Sequence, residues 1–395
     1  MCARKLAVVM ALLMLSAETH VTAQTVIQNE QTMLTSPTPS HEGGFGWSVA
    51  THGNQMAVWG PGASYVYMYG LDQGNWRLTS ALPAAAGGAG YFSNQRLSLT
   101  DDFLVVGAQS NNAFMFHKDN GTWSQQCTLT ATGAAQDSGF GYSAAVSGNI
   151  AVVGSEYARD AYVFRYNGAI WQQEAKLSLP GGCASSVAIS GDTIVISNGK
   201  AGGSVSVFRN TGTAWTQEAS LTSPLPPSQT RFGRSTAIED DRLVVGDDLA
   251  NRAYVYERSG SAWSLTSQIR GSDTVGSDYF GSSVALDGNY ISVGAADEGF
   301  EVGYFGAAYL YQLQGSTWTE KTKLQASQRT GESLLGYSVA IDDGYVIAGA
   351  PRWSGSNSMS GAVYVYTVPE PATIIMLMTG AVAMLRRRSM LGKGY

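Results

Sequence analysis

Charge is scarce in this chain of 395 residues. Asp, Glu, Lys and Arg make up 14% of it, where an ordinary globular domain carries about 25%. The formal net charge is −6, and nowhere do Lys and Arg gather into a stripe, which excludes the basic footprint of a nucleic-acid-binding protein. Histidine is scarcer still. Outside the N-terminal leader there are only His41, His52 and His117, scattered over separate segments without a helical pair or a Cys–His spacing, so no zinc site is expected. There is no Gly-x-Ser-x-Gly run to act as a nucleophile elbow. A Ser/His/Asp arrangement of another kind stays open, because any fold can host one. Cysteine amounts to three residues, and with Cys2 in the leader only Cys127 and Cys183 remain.

What the chain has instead is a repeat of about 48 residues. A period of that size marks a propeller or solenoid, since one unit cannot bury its own apolar face. Its landmark is a Trp followed six residues later by Leu or Ile: Trp76/Leu82, Trp123/Leu129, Trp171/Leu177, Trp215/Leu221, Trp263/Ile269 and Trp318/Leu324. Each unit carries four segments with strand chemistry. The first follows Phe-Gly or a relic of it, at Phe45-Gly46, Phe92-Ser93, Phe140-Gly141, Phe232-Gly233, Phe280-Gly281 and Leu335-Gly336. The second is a β-branched run ending in Gly, such as Leu243-Val244-Val245-Gly246. The third alternates aromatic and aliphatic residues, as in Ala161-Tyr162-Val163-Phe164, and the fourth is the Trp segment. Such short alternating runs rich in Val, Tyr and Phe argue for strands. The first two are joined by Gly, Asn and Asp pairs, from Gly53-Asn54 to Asp343-Gly344, which tolerate the positive φ of tight hairpins. Asn120-Gly121-Thr122 matches a glycosylation acceptor, but its place in such a hairpin explains it better.

Four antiparallel strands per unit and seven units predict an all-β, seven-bladed β-propeller. The fourth unit is degenerate, with Cys183-Ala184 in place of Phe-Gly and Ser197 where the second strand usually ends in Gly. Cys127 then lies in an outer strand of blade 2 and Cys183 in an inner strand of blade 4, too far apart to bridge. The seventh unit stops after its third strand, residues 363–367, and the missing strand is found at the other end of the chain. Residues 28–35 precede Phe45-Gly46 as the Trp segments precede later Phe-Gly pairs, with Gln28 at the Trp position and Leu34 at the Leu position. The N-terminal strand is therefore expected to complete the last blade, and closure protects edges that an open sheet would expose.

The Phe-Gly pairs, the Val105-Val106-Gly107-Ala108 type of strand and the Tyr-Val-Tyr strand resemble the FG-GAP repeat of integrin-α-type propellers. The resemblance covers about residues 26–367. It implies calcium as a cofactor to look for, because integrin-type repeats often carry Asp-rich loops. No Asp-x-Asp-x-Asp-Gly run occurs, and the nearest sets, Asp273/Asp278 and Asp297/Glu298/Glu301, lack calcium-loop spacing. No cofactor is expected on that ground.

Both ends read as targeting signals. Arg4 and Lys5, an apolar run and the small-residue site Val21-Thr22-Ala23 form a secretory leader over residues 1–23. The ring then occupies residues 24–367. Residues 368–395 hold Val368, Pro369, Glu370 and Pro371, an apolar stretch at 372–385, and Arg386, Arg387 and Arg388. This order resembles the PEP-CTERM sorting tail of Gram-negative bacteria. The resemblance implies an exosortase as processing partner and a place at the cell surface or outside it. The apolar stretch is 14 residues long, short of the roughly 20 that span a bilayer, and the Arg triplet stays cytoplasmic by the positive-inside rule. A transient inner-membrane anchor is the expectation, with a permanent single span as the alternative.

Strand parity separates two faces of the ring. The turns from first to second and from third to fourth strand lie on one face and are uniformly tight. The other connections are long and varied: 83–90, 131–139, 223–231, 271–279, 296–306, 326–334 and 351–361. Binding residues concentrate on loops held by a rigid scaffold, so the long-loop face is the candidate. The largest of these loops carry Asp297, Glu298, Phe300, Glu301 and Tyr304 beside Arg352 and Trp353, where aromatics next to carboxylates suit a sugar or a basic peptide. Ordinary loop packing is the alternative reading. The tail should leave from the opposite, tight-turn face. The inner strands show only small and apolar residues, which speaks against a charged channel. With no catalytic constellation, the first reading is an exported binding or adhesion module acting on surface polysaccharide or a protein ligand. A purely structural component is the second reading, and an exported hydrolase or lyase with a site in the propeller pocket is the third.

Overall fold

The computed structural model describes residues 30–62, 65–83, 97–108, 111–135, 138–179, 182–297, 303–328, 331–355 and 358–368. They form seven four-stranded antiparallel sheets, each a blade of one closed propeller. Blade 3 is typical: Phe140–Ser147 innermost, then Ile150–Ser155, Asp160–Tyr166 and, outermost, Trp171–Ser178. The degenerate fourth unit is a complete blade. Blade 7 is closed as the sequence requires, with Glu30–Thr35 pairing antiparallel to Ala362–Thr367. Leu34 lies opposite Val363, while Gln28 and Phe92-Ser93 fall outside the described residues. The two described cysteines are free thiols.

The apolar cores lie between blades. Among the described residues each apolar cluster is shared by two neighbours, and the cluster of Phe45, Tyr67, Tyr69, Ile347, Val363 and Val365 joins blade 1 to blade 7. The Phe of each Phe-Gly packs against two aromatics of its own third strand, as Phe280 does with Tyr309 at 5.3 Å and Tyr311 at 6.2 Å between ring centroids. Phe45, Phe140, Phe232 and Phe280 are fully buried, each contributing on the order of 2–3 kcal/mol. The Gly of the pair and the Gly ending the second strand have a common cause. They are where one blade's backbone touches the next, and a Cβ on Gly294 would lie 2.9 Å from the carbonyl carbon of Gly336. Serine then pins this contact. Ser235, Ser283 and Ser338 donate Oγ–H to the carbonyls of Gly281, Gly336 and Gly46 in the following blade, at 3.0, 2.7 and 2.8 Å. In the degenerate blade Ser197 replaces the strand-end Gly, and its hydroxyl donates to the Gly233 carbonyl at 2.6 Å.

The Trp landmark has an equally local cause. In every blade the pairing of third and fourth strands slips by one residue, leaving Thr79, Gln126, Glu174, Glu218, Thr266, Lys321 and Gln31 without a partner. Each bulged residue sits three beyond the Trp position, and Gln31 keeps that offset from Gln28. A bulge re-aims its side chain. Here it aims Gln126, Glu174 and Glu218 at the indole N–H of the next blade's Trp171, Trp215 and Trp263, which donate at 3.0, 3.0 and 3.1 Å.

The two faces differ as expected. The first residue of the tight pair has positive φ in six blades, with Asp101 the exception. At the end of the ring, the Val368 amide donates to the Gly344 carbonyl of a tight hairpin at 2.8 Å. The chain therefore leaves on the tight-turn face.

Candidate functional site

The inner strands surround an axial cavity of about 230 Å3, lined by residues such as Val49, Ala144, Val187, Ala237, Val284 and Val339. Its wall carries no charged side chain, only aliphatic residues with Thr51, Ser98, Thr236, Ser283 and Ser338 among them. Charge appears instead at the mouths. On the long-loop side, residues that follow the Phe-Gly pairs of different blades come together. Trp47 and Tyr337 pack with their ring planes tilted by 53° and centroids 4.6 Å apart, and Tyr142 and Tyr337, from blades 3 and 7, both feel the charge of Arg234 from blade 5. Side chains from four blades thus meet across this mouth.

Arg234 is held by Asp248, its Nε 3.3 Å from Oδ2, while Arg231 Nε lies 2.9 Å from Oδ1. Burial alone would lower the Arg234 pKa, but Asp248 together with Tyr337 and Tyr142 more than offsets it and the pKa ends raised. Burial pushes the Asp248 carboxyl up against the pull of both arginines. Arg231 Nε and Asp248 Oδ1 are in charge contact without an aligned hydrogen bond among the described residues. The Arg231 guanidinium also stacks on Tyr279 at 5.2 Å from the ring centroid. Asp247, one residue earlier, is fully buried and structural, accepting the amides of Arg231 at 2.8 Å and Ala250 at 3.2 Å.

Asp297 reaches this cluster from blade 6, its amide bonded to the Asp278 carbonyl at 3.2 Å. Burial raises its carboxyl pKa, with Arg352 and Arg231 partly offsetting. Arg352 itself pairs with Glu332 at 3.4 Å, and both are exposed at the rim. Tyr304 is half-buried, its carbonyl accepting the Leu334 amide at 3.2 Å. Trp353 is buried in the core between blades 6 and 7, where it supports the loop and does not face solvent. Glu298, Phe300 and Glu301 lie outside the described residues, as do Pro369, Glu370, Pro371, Arg386, Arg387 and Arg388. Of the acids weighed for calcium, Asp273 is engaged by Lys323 at 2.7 Å and by the Tyr309 hydroxyl at 2.6 Å, and Asp278 accepts the Val275 amide at 2.6 Å. Among the described residues no cluster of three His, Cys, Asp or Glu side chains is placed to hold a metal.

Sequence reasoning brought forward Asp297 and Arg352 but missed Arg231, Arg234 and Asp248. A signal was present. Arg234 is the charged residue at a repeat position otherwise held by aromatic, Ser or Asn side chains, against Trp47, Asn94, Tyr142, Ser185, Ser282 and Tyr337. Asp247-Asp248 likewise stand where other second strands run on into Ala, as at Ala108, Ala295 and Ala350.

Comparison with known families agrees with this architecture. The FG-GAP repeat family matches residues 123–164, 263–311 and 318–366. Each match starts at a Trp and ends in a third strand, so the repeat bridges two blades. The PEP-CTERM protein-sorting motif matches residues 367–389. No curated protein matches the chain. The sorting motif implies processing by an exosortase and export to the cell surface by a Gram-negative-type system. Among the described residues no helix is long and apolar enough to cross a membrane.

Proposed function

We propose that this chain is an exported binding or adhesion propeller whose ligand, a surface polysaccharide or a protein, meets the long-loop face at the axis. The observation that carries the reading is the division of labour between faces. The tail departs beside Gly344 on the tight-turn side, and Arg231, Arg234, Asp248 and Asp297 converge on the opposite side. While its tail is uncut the protein is held briefly at the inner membrane by residues 372–385, and the binding face is directed outward. Buried polar atoms without aligned partners, Asp248 Oδ1 and Arg231 Nε, give a ligand something to satisfy, as expected where a few polar groups orient a bound molecule. The test is pull-down of matrix polysaccharide and surface protein by the purified chain. Binding that Asp248→Asn weakens supports the reading, and binding to neither class would end it.

A second reading is favoured by one feature. Asp248 and Asp297 have carboxyl pKa values raised by burial beside arginines, the kind of perturbation found at acid–base sites. An exported hydrolase or lyase would use them as proton donors. Release of shorter oligosaccharides from a bound polysaccharide, lost in Asp297→Asn, distinguishes this reading from simple binding.

A further inference from the structure

Beside the axial cluster the long-loop face carries aliphatic side chains that the fold leaves in water. Val275 is 67% exposed and Leu249 42%. Their loops are not loose. The Asn251 side chain donates to the Gly276 carbonyl, tying the Leu249 loop to the Val275 loop. The Val275 amide donates to Asp278 at 2.6 Å, and Arg270 donates to the Thr274 carbonyl at 2.6 Å. Asp278 in turn accepts the amide of Asp297 through its carbonyl. Three loops are thus pinned to one another while presenting two branched aliphatics to solvent.

Rigid exposed apolar side chains next to desolvated charge have the anatomy of a protein-binding hot spot. A saccharide would ask for flat aromatic platforms, and the ring pair here, Trp47 and Tyr337 of the adjoining blades 1 and 7, is packed against itself with its planes tilted by 53°. The charged member within reach is Asp297, whose half-buried carboxylate has no hydrogen-bond partner among the described residues. A bound donor would relieve that.

We infer that the ligand of this face is a polypeptide segment, seating an aliphatic side chain between Leu249 and Val275 and a neighbouring Lys or Arg on Asp297. The inference rests on the proposed binding role and narrows it to one class of ligand. The complementarity is specific: two aliphatic side chains for an uncharged side chain, and for a cation one carboxylate that Arg352 and Arg231 influence only through space, without a hydrogen bond.

The test applies the purified chain to an immobilised peptide array and, in parallel, to a glycan array. Selected peptides should pair Leu, Ile or Val with an adjacent Lys or Arg. Val275→Ser and Leu249→Ser should each weaken binding at least about tenfold. Asp297→Asn should remove the preference for the basic residue, and added salt should reduce it. Both loop substitutions are at exposed positions, and an unchanged thermal melt confirms that the ring is intact. Glycan binding that Asp248→Asn abolishes, with no peptides selected, would overturn the inference while leaving the binding role standing. Peptide binding indifferent to Leu249 and Val275 would overturn the inference as well. Silence on both arrays would remove the proposed function with it.

Discussion

Gly349 in blade 7 lies against Gly46 in blade 1 so closely that a Cβ on Gly349 would sit 2.9 Å from the Gly46 carbonyl carbon and nearer still to its oxygen. Gly349 does not have positive φ, so the demand for glycine there is purely one of space. The contact joins the first blade to the last. Gly349→Ala is expected to cost about 3 kcal/mol, the upper end of overpacking effects, because the obstacle is backbone and cannot step aside. Gly53→Ala meets nothing within 4 Å and should cost about 1 kcal/mol for its left-handed backbone alone. Denaturant titration of the two variants separates these costs.

Ser197 shows how the degenerate blade keeps the same joint. Its hydroxyl reaches the Gly233 carbonyl at 2.6 Å where blades 2, 3, 5, 6 and 7 use bare glycine. Ser197→Ala should lose about 1 kcal/mol, the usual net worth of one intramolecular hydrogen bond. Thermal melting at fixed pH measures it.

Glu218 lies on a bulge and binds both Arg258, at 2.6 Å, and the Trp263 indole. The Arg258 hydrogen bonds chiefly, then that of Trp263, hold its carboxyl pKa below the usual value against burial. A lowered folded pKa means stability that is present above the unfolded pKa and lost as pH falls through the folded one. Acidification below about pH 4 should therefore weaken the joint between blades 4 and 5. Glu218→Gln should reduce stability at neutral pH and flatten that acid slope. Melts between pH 3 and 7 read both effects.

Asp287 behaves in the opposite sense. Burial raises its carboxyl pKa, helped by the nearby Asp342 and Glu239 carboxylates on the tight-turn rim. A raised folded pKa means the charge costs stability at neutral pH and relief comes as pH falls. The group is partly solvated, so the effect is screened. Asp287→Asn should stabilise by no more than about 1 kcal/mol near pH 7, with the gain shrinking toward pH 4. The same pH series measures it.

Asp248 is the keystone of the axial mouth, because it carries both Arg231 and Arg234. Asp248→Ala leaves Arg234 buried without its counter-charge, which should cost about 3–5 kcal/mol. Asp248→Asn keeps the shape and should cost less while still reducing ligand capture. Denaturant titration and pull-down on the same two proteins separate folding from binding.

The repeat made the ring legible because its signals are backbone demands that recur. Phe-Gly, the strand-end Gly and the turn pairs each mark a place where geometry admits few residues. The closing strand could be placed from Leu34 and Gln28 and from its distance to Phe45-Gly46, and the bulge at Gln31 shows why the spacing held. The site was less legible. Arg234 and Asp248 come from a first and a second segment of one repeat, and only curvature of the ring brings Tyr142 and Tyr337 to meet them. Trp353 looked like a loop aromatic, yet its indole packs into the core between blades 6 and 7. Loop membership in a sequence says nothing about which way a side chain turns.

The two faces have separate tasks in this reading, and labelling on intact cells tests that directly. Ser277→Cys places a thiol on an exposed long loop and Asn289→Cys on an exposed tight turn, each in a Cys127→Ser background with the tail still attached. A membrane-impermeant maleimide should modify the Ser277→Cys chain rapidly and the Asn289→Cys chain slowly. Rapid modification at Asn289→Cys with protection at Ser277→Cys would put the binding face against the membrane and contradict the proposal.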